Sequence, residues 1–338
     1  MEKRIACFLG DTYQELELAE GGERSTSLRY GHSRRVKDLF CGNSYFSRQT
    51  EMRRSSRLRE LIDRREILVA PGAVDALSSK LIEAGGFEAV YMTGFGTAAS
   101  IFGLPDIGLL TMTEMVENAK RIADAVKIPV IADADTGYGN HLNVKRTLEE
   151  YEKAGVSSMH IEDQISPKRC GHMGGNQLIS LEEMVAKVRV ASEAKEDEDF
   201  VLIARTDAIS AVGFEEAIKR GNAYLKAGAD VVFVEAPGTM EQVVKIPKFI
   251  QGPVLINVSP RTPNLSFKEY ENMGYRIAIY PSICFTASMM AIRKKLAELK
   301  KKRIVEQWEG ESFSFEEMLD FLGLKEYQNL EERVLGNS

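Results

Sequence analysis

The stretch PVIADADTGYG, residues 129–139, places two carboxylates directly after an apolar run and follows them with a glycine-containing turn. A short apolar run that is rich in β-branched residues and bounded by turn residues is typical of a buried strand. We therefore predict a strand here whose end presents Asp133 and Asp135 together on the following turn.

Runs of the same kind recur between Ile67 and Pro281, and amphipathic segments separate them. The predicted strands are ILVAPGA (67–73), AVYMTG (89–94), PVIADAD (129–135), SSMHIED (157–163), FVLIART (200–206), VVFVEA (231–236), PVLINVS (253–259) and RIAIYP (276–281). Alternating strands and helices indicate a parallel sheet, and nearly uninterrupted apolar runs indicate strands covered on both faces. Eight strand–helix units over about 235 residues match an α/β fold of the closed (β/α)8 TIM-barrel type, with a doubly wound open sheet as the alternative.

Polar side chains at the ends of these strands help to choose between the two folds. They are Thr93, Asp133, Asp135, Glu162, Asp163, Arg205, Asp207, Glu235 and Asn257. In a closed barrel the carboxyl ends of the strands converge on one rim, where barrel enzymes place their chemistry. An open sheet would spread the same side chains along a wide edge, so the pattern favours the barrel.

The regular pattern does not extend over the whole chain of 338 residues. Residues 1–51 lack sustained periodicity and are predicted to be an N-terminal extension, and residues 52–303 are predicted to form the barrel. Residues 304–338 are predicted to form a C-terminal helical segment, whose apolar stripe would pack on its own barrel or on a neighbouring subunit.

Composition narrows the classes of partner and compartment. The chain is 44% hydrophobic and 28% charged, with a net charge of −6, so electrostatics give no reason to expect nucleic acid or a membrane as partner. The four cysteines have neither CxxC pairing nor close spacing, which argues against a zinc site or a disulfide framework. We predict a cytoplasmic protein without a membrane-spanning segment that acts on a small molecule.

The heptapeptide SPKRCGH, residues 166–172, sets Cys170 beside Lys168 and Arg169 and two residues before His172. Nearby positive charge lowers the pKa of a thiol, so that it can exchange protons near neutral pH. By itself the pattern is more typical of a partly exposed loop cysteine with solvated basic neighbours, and the other strand-end residues are what favour a catalytic role. Surrounding glycines would permit a loop that closes over substrate. Cys170 is therefore a candidate acid or base, and His172 would tune the thiol or bind substrate.

Carboxylates near Asp133 and Asp135 form a candidate metal site with Asp106, in the sequence GLPD, and Glu162. Oxygen ligands with room for water suit Mg2+ or Mn2+, although each aspartate taken alone could simply shape a turn or cap a helix. A 2-hydroxy or 2-keto acid chelates such a metal, which stabilises the enolate formed when the next bond breaks.

Arg205 is predicted to stabilise that oxyanion or a carboxylate, with a structural salt bridge to Glu235 or Asp207 as the alternative. The end of the second strand offers hydroxyl and backbone donors to a carboxylate, from Tyr91, Thr93 and Gly94. For Tyr91, simple packing is an equally good interpretation.

Taken together, KRCGH (168–172), DAD (133–135) and GLPD (103–106) resemble the isocitrate lyase and phosphoenolpyruvate mutase superfamily over about residues 57–335. The chain is most similar to the short branch that contains 2-methylisocitrate lyase, 2,3-dimethylmalate lyase and carboxyphosphonoenolpyruvate mutase. The resemblance implies a (β/α)8 barrel whose eighth helix is exchanged between paired subunits. It also implies a homotetramer of such dimers and a bound Mg2+ ion.

The resemblance also implies roles for individual residues. Asp133 would lie nearest the metal, with Asp106, Asp135 and Glu162 reaching it largely through water. The implied catalytic residues are Cys170, which would protonate the departing carbanion, together with Arg205, Glu235, His172 and Tyr91. The implied substrate-binding residues are Thr93, Gly94, Phe95, Lys168, Arg169, Gly171, Asn257 and Ser259.

Two departures from the family pattern concern the substrate. Phe95 occupies a position where the family often has a second glycine, and the loop Asn257–Pro263 is two residues shorter than is typical of the short lyases. Because that loop receives the half of the substrate that does not bind the metal, the resemblance predicts the metal chemistry and leaves the substrate open.

The leading hypothesis is a Mg2+-dependent carbon–carbon lyase that cleaves a 2-hydroxy di- or tricarboxylate resembling 2-methylisocitrate or 2,3-dimethylmalate. Retro-aldol cleavage would give a 2-oxo acid, pyruvate or glyoxylate, and a second carboxylate. The alternatives are an enzyme that forms a carbon–phosphorus bond, as carboxyphosphonoenolpyruvate mutase does, or an enzyme that cleaves oxaloacetate. A barrel subunit without catalytic activity is the remaining alternative.

Overall fold

The computed structural model describes residues 52–171, 175–304 and 314–336, and within them eight parallel strands close into a barrel. The strands are β1 (Leu68–Ala73), β2 (Val90–Met92), β3 (Val130–Asp133), β4 (Ser158–Glu162), β5 (Val201–Thr206), β6 (Val231–Val234), β7 (Val254–Asn257) and β8 (Ile277–Tyr280). Pairing of β1 with β8, which sets Leu68 opposite Ile277, completes the ring. The predicted TIM-type barrel is confirmed, and the open sheet is excluded.

One helix precedes the first strand, and the others follow the strands in sequence. The helices are α1 (Arg54–Asp63), α2 (Ala76–Ala84), α3 (Gly94–Thr97), α4 (Met112–Ala125), α5 (His141–Lys153), α6 (Leu181–Glu193), α7 (Ala208–Ala211), α8 (Phe214–Lys226), α9 (Met240–Phe249), α10 (Phe267–Met273), α11 (Ile283–Lys302), α12 (Phe315–Phe321) and α13 (Leu324–Leu335). Several begin at side chains that accept a backbone N–H of the first turn, such as Asn140 before α5 and Ser180 before α6.

Helix α1 lies across the amino-terminal end of the barrel. Its apolar side chains Leu58, Leu61 and Ile62 are buried in one cluster with inward-facing residues of the strands. Arg59 donates hydrogen bonds to the carbonyl oxygens of Asp199 and Phe200, which precede β5. This end of the barrel is therefore sealed by packing, and the opposite end remains for polar residues.

The last helices leave apolar side chains exposed. None of the described residues in α11, α12 or α13 is buried. Among the exposed large side chains of these helices are Met289, Met290, Ile292, Leu296, Phe315, Tyr327, Leu330, Val334 and Leu335. Helices α12 and α13 lie in the segment predicted to be helical, whereas the predicted extension, residues 1–51, lies outside the described residues.

Helices long and apolar enough to cross a membrane do not occur in the described part of the chain.

We predict that Leu58→Ala lowers the free energy of unfolding by about 2–5 kcal/mol, because it leaves a cavity between α1 and the barrel. Urea-induced unfolding monitored by circular dichroism measures the change. The matched control is Leu142→Ala on α5, where the side chain is 67% exposed and the loss should be much smaller. Equal losses in the two variants would contradict the role assigned to α1.

Candidate active site

The carboxyl ends of neighbouring strands bring most of the predicted polar residues to one end of the barrel. Asp133 ends β3, Glu162 ends β4, and Asn257 ends β7. Arg205 lies near the end of β5, and Glu235 directly follows β6. All five are buried. The folded chain therefore holds a cluster of charged groups away from bulk water.

Arg205 is surrounded by carboxylates. Its Nε and Nη2 atoms each donate to Asp207 at 2.9 Å, Nε lies 3.2 Å from Glu162, and Nη1 lies 3.7 Å from Glu235. The guanidinium also lies over the ring of Phe233, 5.1 Å from its centroid. Burial alone would lower the pKa of Arg205, but the carboxylates raise it well above its usual range. Arg205 therefore makes the structural salt bridges that were the alternative to its predicted role in stabilising an oxyanion.

Glu162 is fully buried, and neither of its carboxyl oxygens accepts a hydrogen bond from the described residues. Burial raises its pKa well above the usual range, and Arg205 only partly opposes that shift. Asn257 donates to both carboxyl oxygens of Glu235 at 3.2 Å, which orients that carboxylate beside Arg205.

Asp133 is held by backbone donors. The N–H of Gly94 donates to Oδ2 at 3.2 Å and the N–H of Asp135 to Oδ1 at 3.0 Å. A Cβ atom at Gly94 would lie 2.5 Å from Oδ2, so this approach requires glycine. Burial would raise the pKa of Asp133, but interactions with His160 and Lys168 and the hydrogen bond from the N–H of Asp135 hold it below its usual value.

His160 lies inside the barrel and contacts two of these groups. Its Nε2 atom is 2.9 Å from the hydroxyl of Tyr91 and 3.6 Å from Asp133. Burial lowers the pKa of His160 to about 4, so the imidazole is neutral at neutral pH. The other ring nitrogen, Nδ1, is buried and has no hydrogen-bond partner among the described residues.

Lys168 is buried and pairs with two of the predicted metal-binding carboxylates. Its Nζ atom lies 2.5 Å from Asp106 and 2.8 Å from Asp135. Burial raises the pKa of Asp135 to about 6, and repulsion from Asp133 adds to the shift while Lys168 opposes it. Lys168, predicted to bind substrate, thus lies against the acidic side of the site.

The segment that carries Cys170 is docked onto the cluster. The side chain of Gln164 holds the backbone of Arg169, accepting from its N–H at 3.0 Å and donating to its carbonyl at 2.8 Å. The N–H of Cys170 donates to the carbonyl of Asp106 at 3.2 Å. The Cys170 side chain is partly exposed. Sequence reasoning missed Gln164, since a buried glutamine has no local pattern.

Gly171 touches the cluster around Arg205. A Cβ atom at this position would lie 2.6 Å from Nη2 of Arg205, 2.6 Å from Asp207 and 2.7 Å from Glu235. The lack of a side chain at Gly171 therefore lets the backbone next to Cys170 approach these groups. His172 lies outside the described residues.

The remaining predicted residues lie just after β2 and β7. Thr93 accepts from the N–H of Gly96 and starts α3. Phe95 is 38% exposed and packs edge-on against Phe285, with ring centroids 5.4 Å apart. Ser259 lies 3.1 Å from the hydroxyl of Thr262 in the turn after β7. For Phe95 and Ser259 the structure thus gives turn and packing contacts rather than contacts with the charged cluster.

The charges at this end of the barrel fit a bound cation. Six carboxylates lie here together with two cations, Lys168 and Arg205. The carboxylates are Asp106, Asp133, Asp135, Glu162, Asp207 and Glu235. In the described part of the chain, groups of three or more potential ligands placed to hold a metal do not occur. Mg2+ needs few protein ligands because it keeps several waters. Glu162, whose oxygens accept no hydrogen bond from the described residues, and the surplus of carboxylates therefore fit Mg2+ held mostly through water.

Comparison with known proteins places the chain in a family. A model of the family described as phosphoenolpyruvate phosphomutase matches residues 58–300. The 2,3-dimethylmalate lyase of Eubacterium barkeri is 45% identical over 282 residues, which cover 83% of this chain and 98% of the relative.

Solved structures of relatives have the same fold. Oxaloacetate acetylhydrolase in complex with the inhibitor 3,3-difluorooxalacetate is 35% identical, with a TM-score of 0.80 and coverage of 85% of this chain and 98% of that one. Phosphonopyruvate hydrolase in complex with oxalate and Mg2+ is 31% identical, with a TM-score of 0.78 and coverage of 84% and 100%. The chain is therefore an enzyme of the phosphoenolpyruvate mutase and isocitrate lyase superfamily, whose members include lyases and mutases.

Proposed function

We propose that this enzyme is a Mg2+-dependent carbon–carbon lyase. Its substrate would be a 2-hydroxy di- or tricarboxylate of the 2,3-dimethylmalate or 2-methylisocitrate type, and its products a 2-oxo acid and a second carboxylate. The observation that carries the proposal is the docking of the Cys170 segment onto Arg205 and Glu235 through Gly171. This docking supports a role for Cys170 as a proton donor near a cation and a carboxylate, which are the groups that the proposed cleavage needs.

The reaction requires a base, an oxyanion stabiliser and an acid. Glu235 would take the proton of the 2-hydroxyl group, and the bond between C2 and C3 would then break with its electron pair passing to C3. Cys170 would donate its proton to that carbanion, which completes the second carboxylate. Glu235 would gain one proton and Cys170 would lose one, so the reaction as a whole would neither take up nor release a proton.

Arg205 would stabilise the negative charge that develops on the 2-oxygen. Its Nε and Nη2 atoms are fixed by Asp207, which leaves the Nη1 edge oriented towards Glu235. A guanidinium held in this way needs little reorganisation when charge appears. Its burial strengthens the interaction because the local dielectric constant is low.

The residues proposed to hold Mg2+ are Asp133 directly and Asp106, Asp135 and Glu162 through water. When bound, the metal would supply the positive charge that polarises the 2-oxygen and the neighbouring carboxylate. The relative crystallised with oxalate and Mg2+ supports this, since oxalate resembles the enolate of a 2-oxo acid. Mn2+ prefers similar oxygen ligands and is expected to substitute.

Oxaloacetate cleavage is the second candidate, supported by the structural likeness to oxaloacetate acetylhydrolase. A mutase that forms a carbon–phosphorus bond is a third, supported by the similarity of the chain to carboxyvinyl-carboxyphosphonate phosphorylmutase of Arabidopsis thaliana. The substrate assay described below separates the lyase from the oxaloacetate-cleaving enzyme, because the lyase releases pyruvate or glyoxylate and oxaloacetate cleavage releases oxalate. A mutase would release none of these from the compounds tested.

We further propose a homotetramer of dimers that exchange the last barrel helix, α11. The support is the unburied surface of that helix in the single chain, where Met290, Ile292 and Leu296 are exposed. Apolar area of this kind is typical of a subunit interface. We propose a cytoplasmic location, with small carboxylic acids and no nucleic acid or membrane as partners.

We predict that Cys170→Ser lowers turnover by at least about 100-fold, because it removes the proton donor. The assay combines Mg2+ with 2,3-dimethylmalate, 2-methylisocitrate, isocitrate, citramalate and oxaloacetate, and measures release of pyruvate, glyoxylate or oxalate. The matched control is Cys284→Ser, at the start of α11, which should retain activity. Wild-type turnover in Cys170→Ser would contradict the assigned role, and silence of the wild-type enzyme on every compound would contradict the proposed substrate class.

We predict that Asp133→Asn weakens Mg2+-dependent binding of oxalate by at least about 100-fold, because the carboxylate nearest the proposed metal loses its charge. Isothermal titration calorimetry with oxalate, with and without Mg2+, measures this change. Asp124→Asn, an exposed position on α4, is the control and should bind oxalate normally. Unchanged affinity in Asp133→Asn would place the metal elsewhere.

A further inference from the structure

Asp163 is fully buried next to Glu162 and accepts four hydrogen bonds. Two come from the end of β5, from the Thr206 hydroxyl at 2.7 Å and the Asp207 N–H at 2.9 Å. Two come from α8, from the Tyr224 hydroxyl at 2.7 Å and Arg220 Nη1 at 3.1 Å. The carboxylate therefore joins the end of β4 to the end of β5 and to a covering helix.

Full burial makes this carboxylate costly unless it is paired and hydrogen-bonded. Arg220 supplies the opposite charge and is itself held by Glu216, at 3.0 Å, and by the carbonyl of Ile179, at 3.1 Å. Both carboxyl oxygens of Asp163 are thus engaged: Oδ1 by the backbone of Asp207, and Oδ2 by the side chains.

Oδ1 of Asp163 is linked to Arg205 through a single residue, Asp207. It fixes the N–H of Asp207, whose carboxylate makes both 2.9 Å bonds to Arg205. Asp207 stands at the N-cap of α7, where an aspartate usually accepts from the helix backbone, yet its side chain pairs with Arg205 instead. The side chain of Asp207 is therefore not held by the helix it precedes, whereas its backbone N–H is held by Asp163.

We propose that Asp163 is a positioning residue that sets the orientation of Arg205 through the backbone of Asp207. The inference rests on the proposed function, in which Arg205 stabilises the developing oxyanion. Tyr224 and Arg220 contribute indirectly, because they hold Asp163 in place. A residue that only tied α8 to the barrel would affect stability without changing the geometry around Arg205.

The test is Asp163→Asn, which keeps the size of the side chain. Its single amide oxygen is expected to face the three donors that now share Oδ2, so the NH2 group replaces Oδ1 and cannot accept the N–H of Asp207. We expect a crystal structure of the variant to have Arg205 separated from Asp207. We expect kcat and the affinity for oxalate in the presence of Mg2+ to fall together by about 10- to 100-fold, because a small displacement of a catalytic group has effects of that size. The affinity for Mg2+ alone should change little, because Asp133 is untouched.

Tyr224→Phe provides a milder variant with a matched control. It removes one hydrogen bond to Asp163, while Tyr275→Phe removes one hydrogen bond of 2.9 Å from another buried tyrosine to the carbonyl of Val243. We expect similar losses of Tm, with a lower kcat only in Tyr224→Phe. If Asp163→Asn does not fold, this pair decides the question.

The positioning role is overturned if Asp163→Asn keeps the Arg205–Asp207 pair intact, or if Tyr224→Phe and Tyr275→Phe have the same kcat. Failure of the proposed function gives a different result, namely a wild-type protein that cleaves none of the compounds. In that case the distance between Arg205 and Asp207 in the Asp163→Asn crystal still decides the positioning role.

Discussion

Buried negative charge at the carboxyl end of the barrel is the constraint on which the site depends. Taking an ion out of water costs several kcal/mol even after relaxation, so each buried carboxylate needs a donor or a cation. Arg205 is shared among Asp207, Glu162 and Glu235, and Lys168 is shared between Asp106 and Asp135. The carboxylates outnumber these two cations. The proposed divalent metal would neutralise the negative charge that remains.

One end of the barrel is stabilised by apolar packing, and the other end holds the candidate active site. At the amino-terminal end, α1 packs Leu58 and Leu61 onto the strands. At the carboxyl end, the same strands terminate in charged side chains whose burial costs free energy. Apolar packing at one end thus offsets the polar cluster at the other, as is usual in barrel enzymes. Asp163, Arg220 and Tyr224 extend the polar cluster into the helical layer without opening it to water.

The strands and the strand-end residues were predictable because both follow from local patterns. Apolar runs mark strands buried on both faces, and residues that directly follow them, such as Asp133 and Glu235, are carried to the rim by the topology. Contacts made by loops were not predictable. Lys168 and Asp106 are 62 positions apart and meet only because the loop folds back over the rim. Phe95 and Ser259 were predicted from the resemblance, whereas their contacts depend on turns that the motif does not specify.

Anomalous diffraction from crystals grown with Mn2+ and oxalate tests the central claim most directly, namely that the surplus of buried carboxylates holds a catalytic divalent metal. The account predicts the strongest anomalous peak beside Asp133, with oxalate bound between the metal and Arg205. A peak remote from Asp133, or oxalate bound away from Arg205, would contradict it.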